Sequence, residues 1–165
     1  MSGAVLLLLF VTASRLGELV LSARNVAGLK ARSAIEAGAS HYPAMVALHT
    51  SWLAGLWWLG RDATVSPGWL AAFGALQVLR VWTLATLGRR WTTRILVIPG
   101  ETLVRRGPYR FVAHPNYVVV AGEIAVLPLV FGLPVFAFVF SLLNAGMLAV
   151  RIRAEEAALK RHAAP

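Results

Sequence analysis

Residues 115–150 read PNYVVVAGEIAVLPLVFGLPVFAFVFSLLNAGMLAV, with no basic side chain and a single acidic one, Glu123. The tripeptide Gly132-Leu133-Pro134 divides this stretch into two apolar runs, over residues 115–131 and 134–150. Each run approaches the roughly 20 apolar residues that cross the hydrocarbon core of a bilayer. Two such runs with a tight link between them predict a helical hairpin that passes through a membrane.

Three further apolar runs precede this hairpin, over residues 3–21, 42–59 and 67–87. The chain is 58% hydrophobic and 14% charged, with a mean hydropathy of +0.69, which is more apolar than a soluble domain of 165 residues needs for its core. A cleaved signal peptide over the first run is the alternative, but no Lys or Arg precedes Arg15 and no clear cleavage site follows. We therefore predict an all-α integral membrane protein of about five transmembrane helices, forming one membrane domain over residues 1–165.

Basic residues cluster on one side of the predicted spans. Thirteen of the 16 Lys and Arg residues follow spans one, three and five, whereas only Arg61 lies on the opposite side, and Arg15 and Arg80 fall inside spans. Because short cytoplasmic loops carry an excess of positive charge, this places the N-terminus outside and the C-terminus in the cytoplasm. Basic residues beside spans also fit anionic lipid better than nucleic acid, so the net charge of +9 predicts no nucleic-acid partner.

Polar segments connect the spans on the predicted cytoplasmic side. Residues 22–41 are predicted to form a polar loop with room for a short interfacial helix. Within the longer connection, residues 94–104 form two short β-branched runs around Pro99-Gly100, which predicts a small hairpin or extended pair. Residues 151–162 have helical propensity and predict a helix that emerges into the cytoplasm.

No metal site and no cysteine chemistry are predicted. The chain has no cysteine, and no two of its four histidines stand three or four residues apart. Neither a P-loop nor a Gly-x-Gly-x-x-Gly fingerprint occurs in the sequence.

His114 stands at the predicted entrance of the fourth span, within RGPYRFVAHPNY, residues 106–117. Pro115 is favoured at the first position of a helix and pushes His114 towards an extended conformation. The amide groups and the positive dipole end of a helix N-terminus suit a carboxylate or phosphate, so an anionic ligand end would dock there. From the residues alone, ligand binding and simple capping of the helix by His114 are equally supported.

Arg151 and Glu155 are four residues apart and project from the same helix face, where they can meet one ligand together. As a plain stabilising pair their order is the poorer one, because Glu before Arg is preferred, and exposed pairs contribute only a few tenths of a kcal/mol. This favours a functional role. A solvated helix end just outside the membrane is the alternative.

Polar residues inside the apolar spans are a third signal, because an ionisable group in hydrocarbon usually faces the bundle interior or a cavity. These residues are Arg15, Glu18, His49, Gln77, Arg80, Glu123 and Asn144. Arg15 is expected to neutralise Glu18, and Arg80 is expected to pair with Glu123 across two spans. Structural pairing is the simpler account of the set, and cavity lining is the alternative. Four tryptophans are predicted to form an interfacial belt near the outer face: Trp52, Trp57, Trp58 and Trp69.

Taken together, these motifs resemble the isoprenylcysteine carboxyl methyltransferase family, a group of integral membrane enzymes that use S-adenosylmethionine. The resemblance covers about residues 87–161 and is carried by Gly107-Pro-Tyr109 leading to His114-Pro-Asn-Tyr117, by the apolar hairpin, and by Arg151-x-x-x-Glu155-Glu156-x-x-Leu159. The family usually has Arg immediately before the His-Pro pair, where this sequence has Ala113, so Arg106 or Arg110 is expected to supply the missing contact. The N-terminal half, with Arg15-x-x-Glu18 and Glu36-x-Gly38-x-x-His41-Tyr42, is more similar to a bacterial branch that includes alkylpyrone O-methyltransferases.

The resemblance implies that the two halves of the chain have different roles. Residues 1–87 would supply three N-terminal spans, and residues 88–165 would supply a cytoplasmic cofactor-binding segment, the hairpin and the C-terminal helix. Tyr109, His114, Tyr117 and Glu156 would contact S-adenosylmethionine, while Arg151 and Glu155 would stand at the reacting centre. A lipophilic small molecule would enter sideways from the membrane lipid, and the bacterial branch implies a bacterial inner membrane.

The implied reaction is methyl transfer, with O-methylation favoured, to a carboxylate or hydroxyl of a prenylcysteine-like or alkylpyrone-like acceptor. Arg151 would hold an acceptor carboxylate, and Glu155 would take the proton of an enol or phenol. Two alternatives stay open, an NADPH-dependent membrane reductase of the sterol-reductase type and a non-catalytic membrane scaffold. The sequence leaves the acceptor and the oligomeric state undetermined.

Overall fold

The computed structural model describes residues 2–162, and most of them are helical. The long helices are α1 (Gly3–Lys30), α2 (Tyr42–Gly60), α3 (Pro67–Leu87), α4 (Pro115–Val130) and α5 (Pro134–His162). Short 3-10 turns lie at Ala39–His41, Gly88–Arg90 and Gly107–Arg110, and two strands, β1 (Ile35–Ala37) and β2 (Ile95–Val97), form a small sheet. A helix therefore occupies each of the five apolar runs of the sequence, and α5 continues without a break into the predicted C-terminal helix.

Three helices of the described chain, α1, α3 and α5, are long and apolar enough to cross a membrane, judged by length and composition. Helix α4 is apolar but has only 16 residues, and α2, with 19, is not among the three. The helical, membrane-type fold is thus as predicted, whereas the count of five spans and the cytoplasmic position of the connecting segment stay predictions.

The polar loop predicted for residues 22–41 is wrong over its first half, because α1 continues to Lys30. The polar side chains that suggested a loop face inward instead. Ser22 accepts a hydrogen bond from the backbone N–H of Thr93 at 2.9 Å. Asn25 donates to the carbonyl oxygens of Gly88 at 3.1 Å and Trp91 at 2.7 Å. These residues therefore bind the segment after α3 to the side of α1.

The strand partner predicted for residues 95–97 is also wrong. The sequence suggested a local hairpin within residues 94–104, but β2 pairs with β1 in an antiparallel register that places Ile35 opposite Val97. An ion pair beside the sheet favours this long-range pairing, since Arg94 donates to Glu36 at 2.5 Å. The sheet thus ties the segment after α1 to the segment before α4.

The apolar core is formed where α1, α2, α3 and α4 meet. Its fully buried side chains include Leu8, Leu56, Ile124 and Leu127. Trp52, predicted to lie in an interfacial belt, is 3% exposed and belongs to this core, because it lies on the inward face of α2. Trp58 and Trp69 are exposed, as a belt requires, and Trp57 donates its indole N–H to Thr12 at 2.9 Å.

Two predicted ion pairs inside the helices are confirmed and join into one cluster. Arg15 donates to Glu18 and to Glu123, each at 2.7 Å. Arg80 donates to Glu123 through both Nε and Nη2, and to Glu18 at 3.0 Å. Gln77 completes the cluster with a 2.5 Å hydrogen bond to Glu123. Two arginines and two carboxylates thus neutralise each other between α1, α3 and α4, as buried charges require.

Candidate active site

The candidate site begins at the 3-10 turn Gly107–Arg110, which carries Tyr109. Gly107 has a φ of 58°, and a Cβ at this position would lie 2.4 Å from the hydroxyl oxygen of Thr86 on α3. The sequence needs glycine here both for the left-handed backbone and for this close approach. Packing against α3 then fixes where Tyr109 points, and burial raises the pKa of its hydroxyl, which keeps it a hydrogen-bond donor.

His114 lies immediately before α4, as its place ahead of Pro115 predicts, but its side chain does not cap the helix. The imidazole stacks on Tyr117 with ring centroids 5.3 Å apart, and its Nδ1 lies 3.6 Å from Glu155. The Tyr117 hydroxyl donates to the same carboxylate at 2.7 Å. The start of α4 and the last part of α5 are therefore joined at one carboxylate, and simple capping does not explain the position of the His114 ring.

Arg151 is buried, with 5% of its surface exposed, yet it forms no ion pair with Glu155 or with any other described residue. Its Nη2 donates to the carbonyl oxygen of Thr93 at 2.9 Å, and the guanidinium lies 5.8 Å from the centroid of the Tyr117 ring. A plain stabilising pair of Arg151 with Glu155 is therefore absent from the described chain. A buried cation that no described carboxylate neutralises is suited to an anionic group of a ligand.

A cavity of about 490 Å³ opens beside these residues, enclosed by β2 and the segment that follows it, the start of α4 and the end of α5. We call it the nucleotide-sized cavity. Its wall contains all six residues that the sequence singled out: Tyr109, His114, Tyr117, Arg151, Glu155 and Glu156. The structure thus brings together side chains separated by up to 47 positions in the chain, while their individual roles stay predictions.

The cover of the nucleotide-sized cavity is held by two acidic residues. Glu36 on β1 binds Arg94 at 2.5 Å and Lys30 at 3.3 Å. The Arg94 hydrogen bond lowers the pKa of Glu36, against the opposing effect of burial, and Lys30 lowers it further. Glu101, beyond β2, binds Arg32 at 2.8 Å and also Arg90. Both carboxylates connect the end of α1 or its flanking turn to the segment that covers the cavity.

A second cavity of about 340 Å³ lies deeper between the helices, and we call it the apolar cavity. Its walls are mainly hydrophobic side chains of α1, α2, α4 and α5, with the ion cluster at one side. Four residues line both cavities: Trp91, Asn116, Tyr117 and Arg151. The two cavities therefore meet at these side chains. The nucleotide-sized cavity is the more polar of the two and faces the connecting segments, whereas the apolar cavity faces the helices.

Some residues of the site were missed by sequence reasoning. Trp91, only 2% exposed, donates its indole N–H to Asn116 at 3.2 Å, and both line the two cavities. The sequence signal that could have identified Trp91 was its position directly after the basic pair Arg89-Arg90, outside any predicted span. The expected replacements for the missing family arginine, Arg106 and Arg110, do not line the nucleotide-sized cavity among the described residues. Arg90, Arg94 and Arg105 do, because the segment after α3 folds back over the cavity.

Comparison with known proteins found a family that matches the chain. The family model described as "Isoprenylcysteine carboxyl methyltransferase (ICMT) family" matches residues 69–161, which include most of α3, nearly all of the nucleotide-sized cavity's wall and most of α5. The chain therefore belongs to the isoprenylcysteine carboxyl methyltransferase family, which makes it a membrane methyltransferase.

A relative matches over nearly the whole length. The chain is 37% identical over 170 aligned residues to a protein of Bacillus subtilis (strain 168) named "Uncharacterized protein YpbQ", covering 95% of this chain and 96% of the relative. No solved structure matches the chain.

Proposed function

We propose that this protein transfers the methyl group of S-adenosylmethionine to a carboxylate or hydroxyl oxygen of a lipophilic acceptor at the cytoplasmic face of a bacterial inner membrane. The observation that carries the proposal is the meeting of two cavities at Tyr117 and Arg151, one of mixed polarity and one almost wholly apolar. A charged methyl donor and a lipid acceptor need two such different environments with one shared boundary, because reacting atoms must approach to about 3 Å.

The residues of the nucleotide-sized cavity fit S-adenosylmethionine in size and chemistry. Its volume of about 490 Å³ lies within the range of roughly 300–1,000 Å³ typical of small-molecule sites. Glu156 suits the ammonium group of this ligand, and the aromatic rings of Tyr109 and Tyr117 suit its adenine. When bound, S-adenosylmethionine supplies a methyl group activated by a positively charged sulfur.

His114 and Glu155 are proposed to shape the same cavity. The His114 ring lies against Tyr117 and near Glu155, so it holds one side of the donor site in place. The Glu155 carboxylate adds negative charge beside the region where a sulfonium would lie, which favours binding of a cation there. Catalysis by these residues is mainly alignment and exclusion of water, since an in-line displacement needs no covalent bond to the protein.

The apolar cavity is proposed to hold the acceptor. Its hydrophobic wall suits an alkyl or prenyl chain, and entry from the bilayer keeps that chain out of water. Arg151 lines both cavities and is placed to hold an anionic head group of the acceptor next to the donor.

The test is transfer of labelled methyl from S-adenosylmethionine to a total lipid extract, followed by mass identification of the product. We expect wild-type protein in detergent to label a lipid that partitions into organic solvent. Protein that binds NADPH and labels no lipid would contradict the proposal.

A further inference from the structure

We propose that His49, on the second helix, is the base that removes a proton from the acceptor, and that the acceptor therefore reacts through an acidic hydroxyl such as an enol or phenol. This inference rests on the proposed function and narrows its acceptor from carboxylate or hydroxyl to hydroxyl. A carboxylate is already ionised at neutral pH and needs no base for methylation.

The hydrogen-bonding state of His49 follows from its geometry. Its Nδ1 lies 2.8 Å from the carbonyl oxygen of Met45. A carbonyl oxygen only accepts hydrogen bonds, so Nδ1 carries the hydrogen, and the neutral imidazole then has its free lone pair on Nε2. His49 lines the apolar cavity together with Met45, Trp52 and Leu53 from the same face of α2. The cavity therefore contains a neutral nitrogen base whose ring is held in one orientation by the helix.

The other titratable groups of the apolar cavity are already engaged or are cations. They come from every helix packed around it: Arg15 and Glu18 of α1, Tyr42 of α2, Arg80 of α3, Tyr117 and Glu123 of α4, and Arg151 of α5. Glu18 and Glu123 are each bound by both Arg15 and Arg80. The Tyr42 hydroxyl lies 3.1 Å from the hydroxyl of Thr93. Among the described residues that line this cavity, His49 is the group with an available basic lone pair.

Glu155, which the sequence suggested for this proton, is less well placed. It lines the nucleotide-sized cavity and is not among the lining residues of the apolar cavity. It also already accepts the hydroxyl hydrogen of Tyr117. Glu155 lies in the proposed donor cavity, where its negative charge favours binding of the sulfonium. His49 lies in the proposed acceptor cavity, where it can take the proton of the acceptor hydroxyl.

A second observation indicates a polar ligand head in the apolar cavity. Asn144 of α5 is 1% exposed and lines this cavity, and its Oδ1 has no hydrogen-bond partner among the described residues. Buried side-chain amides nearly always have partners, so the unpaired Oδ1 marks a polar wall that the described residues leave incompletely satisfied. A hydroxyl group also gives Nε2 of His49 a hydrogen-bond donor that a pure hydrocarbon does not.

The step balances with the methyl donor as the only co-reactant. The O–H bond of the acceptor breaks, and its proton passes to Nε2 of His49. The oxygen forms a bond to the methyl carbon of S-adenosylmethionine, and the carbon–sulfur bond breaks with its electron pair going to sulfur. The products are a methyl ether, neutral S-adenosylhomocysteine and an imidazolium, so the positive charge moves from sulfur to His49. The imidazolium then returns its proton to water.

The experiment compares wild-type protein with His49→Gln in detergent, using tritiated S-adenosylmethionine and a total lipid extract of the source organism. Gln can accept a hydrogen bond but cannot take a proton. We expect kcat to fall by about 10²-fold or more, and the decrease of the wild-type rate at acid pH to be absent from the variant. Calorimetry with S-adenosylhomocysteine should give the same affinity for both proteins. The control is Ser51→Ala, at an exposed position on α2 outside both cavities, which should keep the wild-type rate.

The product gives an independent readout. A methyl ether keeps its label in alkali, whereas a methyl ester releases labelled methanol, and we expect the alkali-stable product. An alkali-labile product, or His49→Gln with the wild-type kcat and pH profile, overturns the role of His49 while leaving the proposed methyl transfer intact. Wild-type protein that labels no lipid at all overturns the proposed function itself.

Discussion

The hydroxyl of Tyr117 donates a 2.7 Å hydrogen bond to Glu155, which joins the first turn of α4 to the C-terminal part of α5. Tyr117 also lines both cavities, whereas Glu155 lines only the nucleotide-sized cavity. This bond therefore holds the wall between donor and acceptor in a defined position. Loss of this hydrogen bond should weaken donor binding more than it lowers the stability of the fold.

We expect Tyr117→Phe to weaken binding of S-adenosylhomocysteine by roughly 10-fold, because a hydrogen bond to a charged group contributes about 1.5–3 kcal/mol. Glu155→Ala, which removes the acceptor, should weaken binding similarly. Because both substitutions remove the same interaction, the double variant should lose less than the sum of the two single losses. Isothermal calorimetry of the three variants measures this, and strictly additive losses would show that the pair does not act as a unit.

Turnover should depend on Arg151 at the boundary of the two cavities. Arg151→Ala is expected to purify as folded protein and to lose methyl transfer by about 10²-fold or more, since alignment at the reacting centre is lost. Arg153→Ala is the matched control, because Arg153 is exposed on the same helix and lines neither cavity. Equal rates for the two variants in the labelled-lipid assay would remove Arg151 from the reaction.

The buried ion cluster should matter for stability. Glu123 accepts hydrogen bonds from Arg15, Gln77 and Arg80. Glu123→Ala therefore leaves the buried guanidinium of Arg80 and the partly buried one of Arg15 with one carboxylate, that of Glu18, between them. Breaking a buried ion pair typically destabilises a protein by about 3–5 kcal/mol. Thermal unfolding in detergent should show a clear decrease of Tm for Glu123→Ala and none for Asp62→Asn, whose side chain is exposed. An unchanged Tm for Glu123→Ala would mean that the cluster contributes little.

The cover of the nucleotide-sized cavity should loosen in acid. The pKa of Glu36 is lowered below its ordinary value of 4.5, first by the hydrogen bond from Arg94 and then by Lys30, despite burial. Because the folded state binds this proton more weakly than the unfolded chain, ionised Glu36 stabilises the sheet above pH 4.5, and this contribution is lost as the pH falls through the lowered pKa.

Hydrogen exchange of the amides in β1 and β2 measures this loosening. We expect the wild-type protein to lose protection in these strands as the pH decreases below 4.5, after correction for the intrinsic exchange rate. In Glu36→Gln the protection should already be reduced at neutral pH and should change less with acid. The same pH dependence in both proteins would contradict a role for this carboxylate.

Local patterns predicted the helices well, but they missed the full length of α1 and the pairing of the two strands. Helix α3 has the predicted limits, 67–87, because Pro67 marks its start and Gly88 follows its end. The continuation of α1 was missed because Ser22 and Asn25 are polar, and only the folded chain shows that they bind the segment after α3. The pairing of β1 with β2 was missed because no local signal links segments so far apart in sequence.

The two cavities also differ in how well the sequence predicted the residues of their walls. Six residues of the nucleotide-sized cavity occur in two short motifs around His114 and Arg151, and the resemblance to the family selected them, whereas other wall residues such as Trp91 were missed. The apolar cavity draws single residues from several helices, such as His49 of α2 and Asn144 of α5. Their polarity within apolar spans was visible in the sequence, but which of them face one space depends on helix packing.

The central claim is that S-adenosylmethionine binds where α4 begins and the C-terminal part of α5 passes. Calorimetric titration of S-adenosylhomocysteine into purified wild-type protein and His114→Ala tests it most directly. The wild type should bind with a dissociation constant well below millimolar, and His114→Ala should bind at least about 10-fold more weakly, because the ring that holds Tyr117 and Glu155 is gone. Wild-type protein with no detectable binding at millimolar ligand, or His114→Ala with unchanged affinity, would contradict the claim.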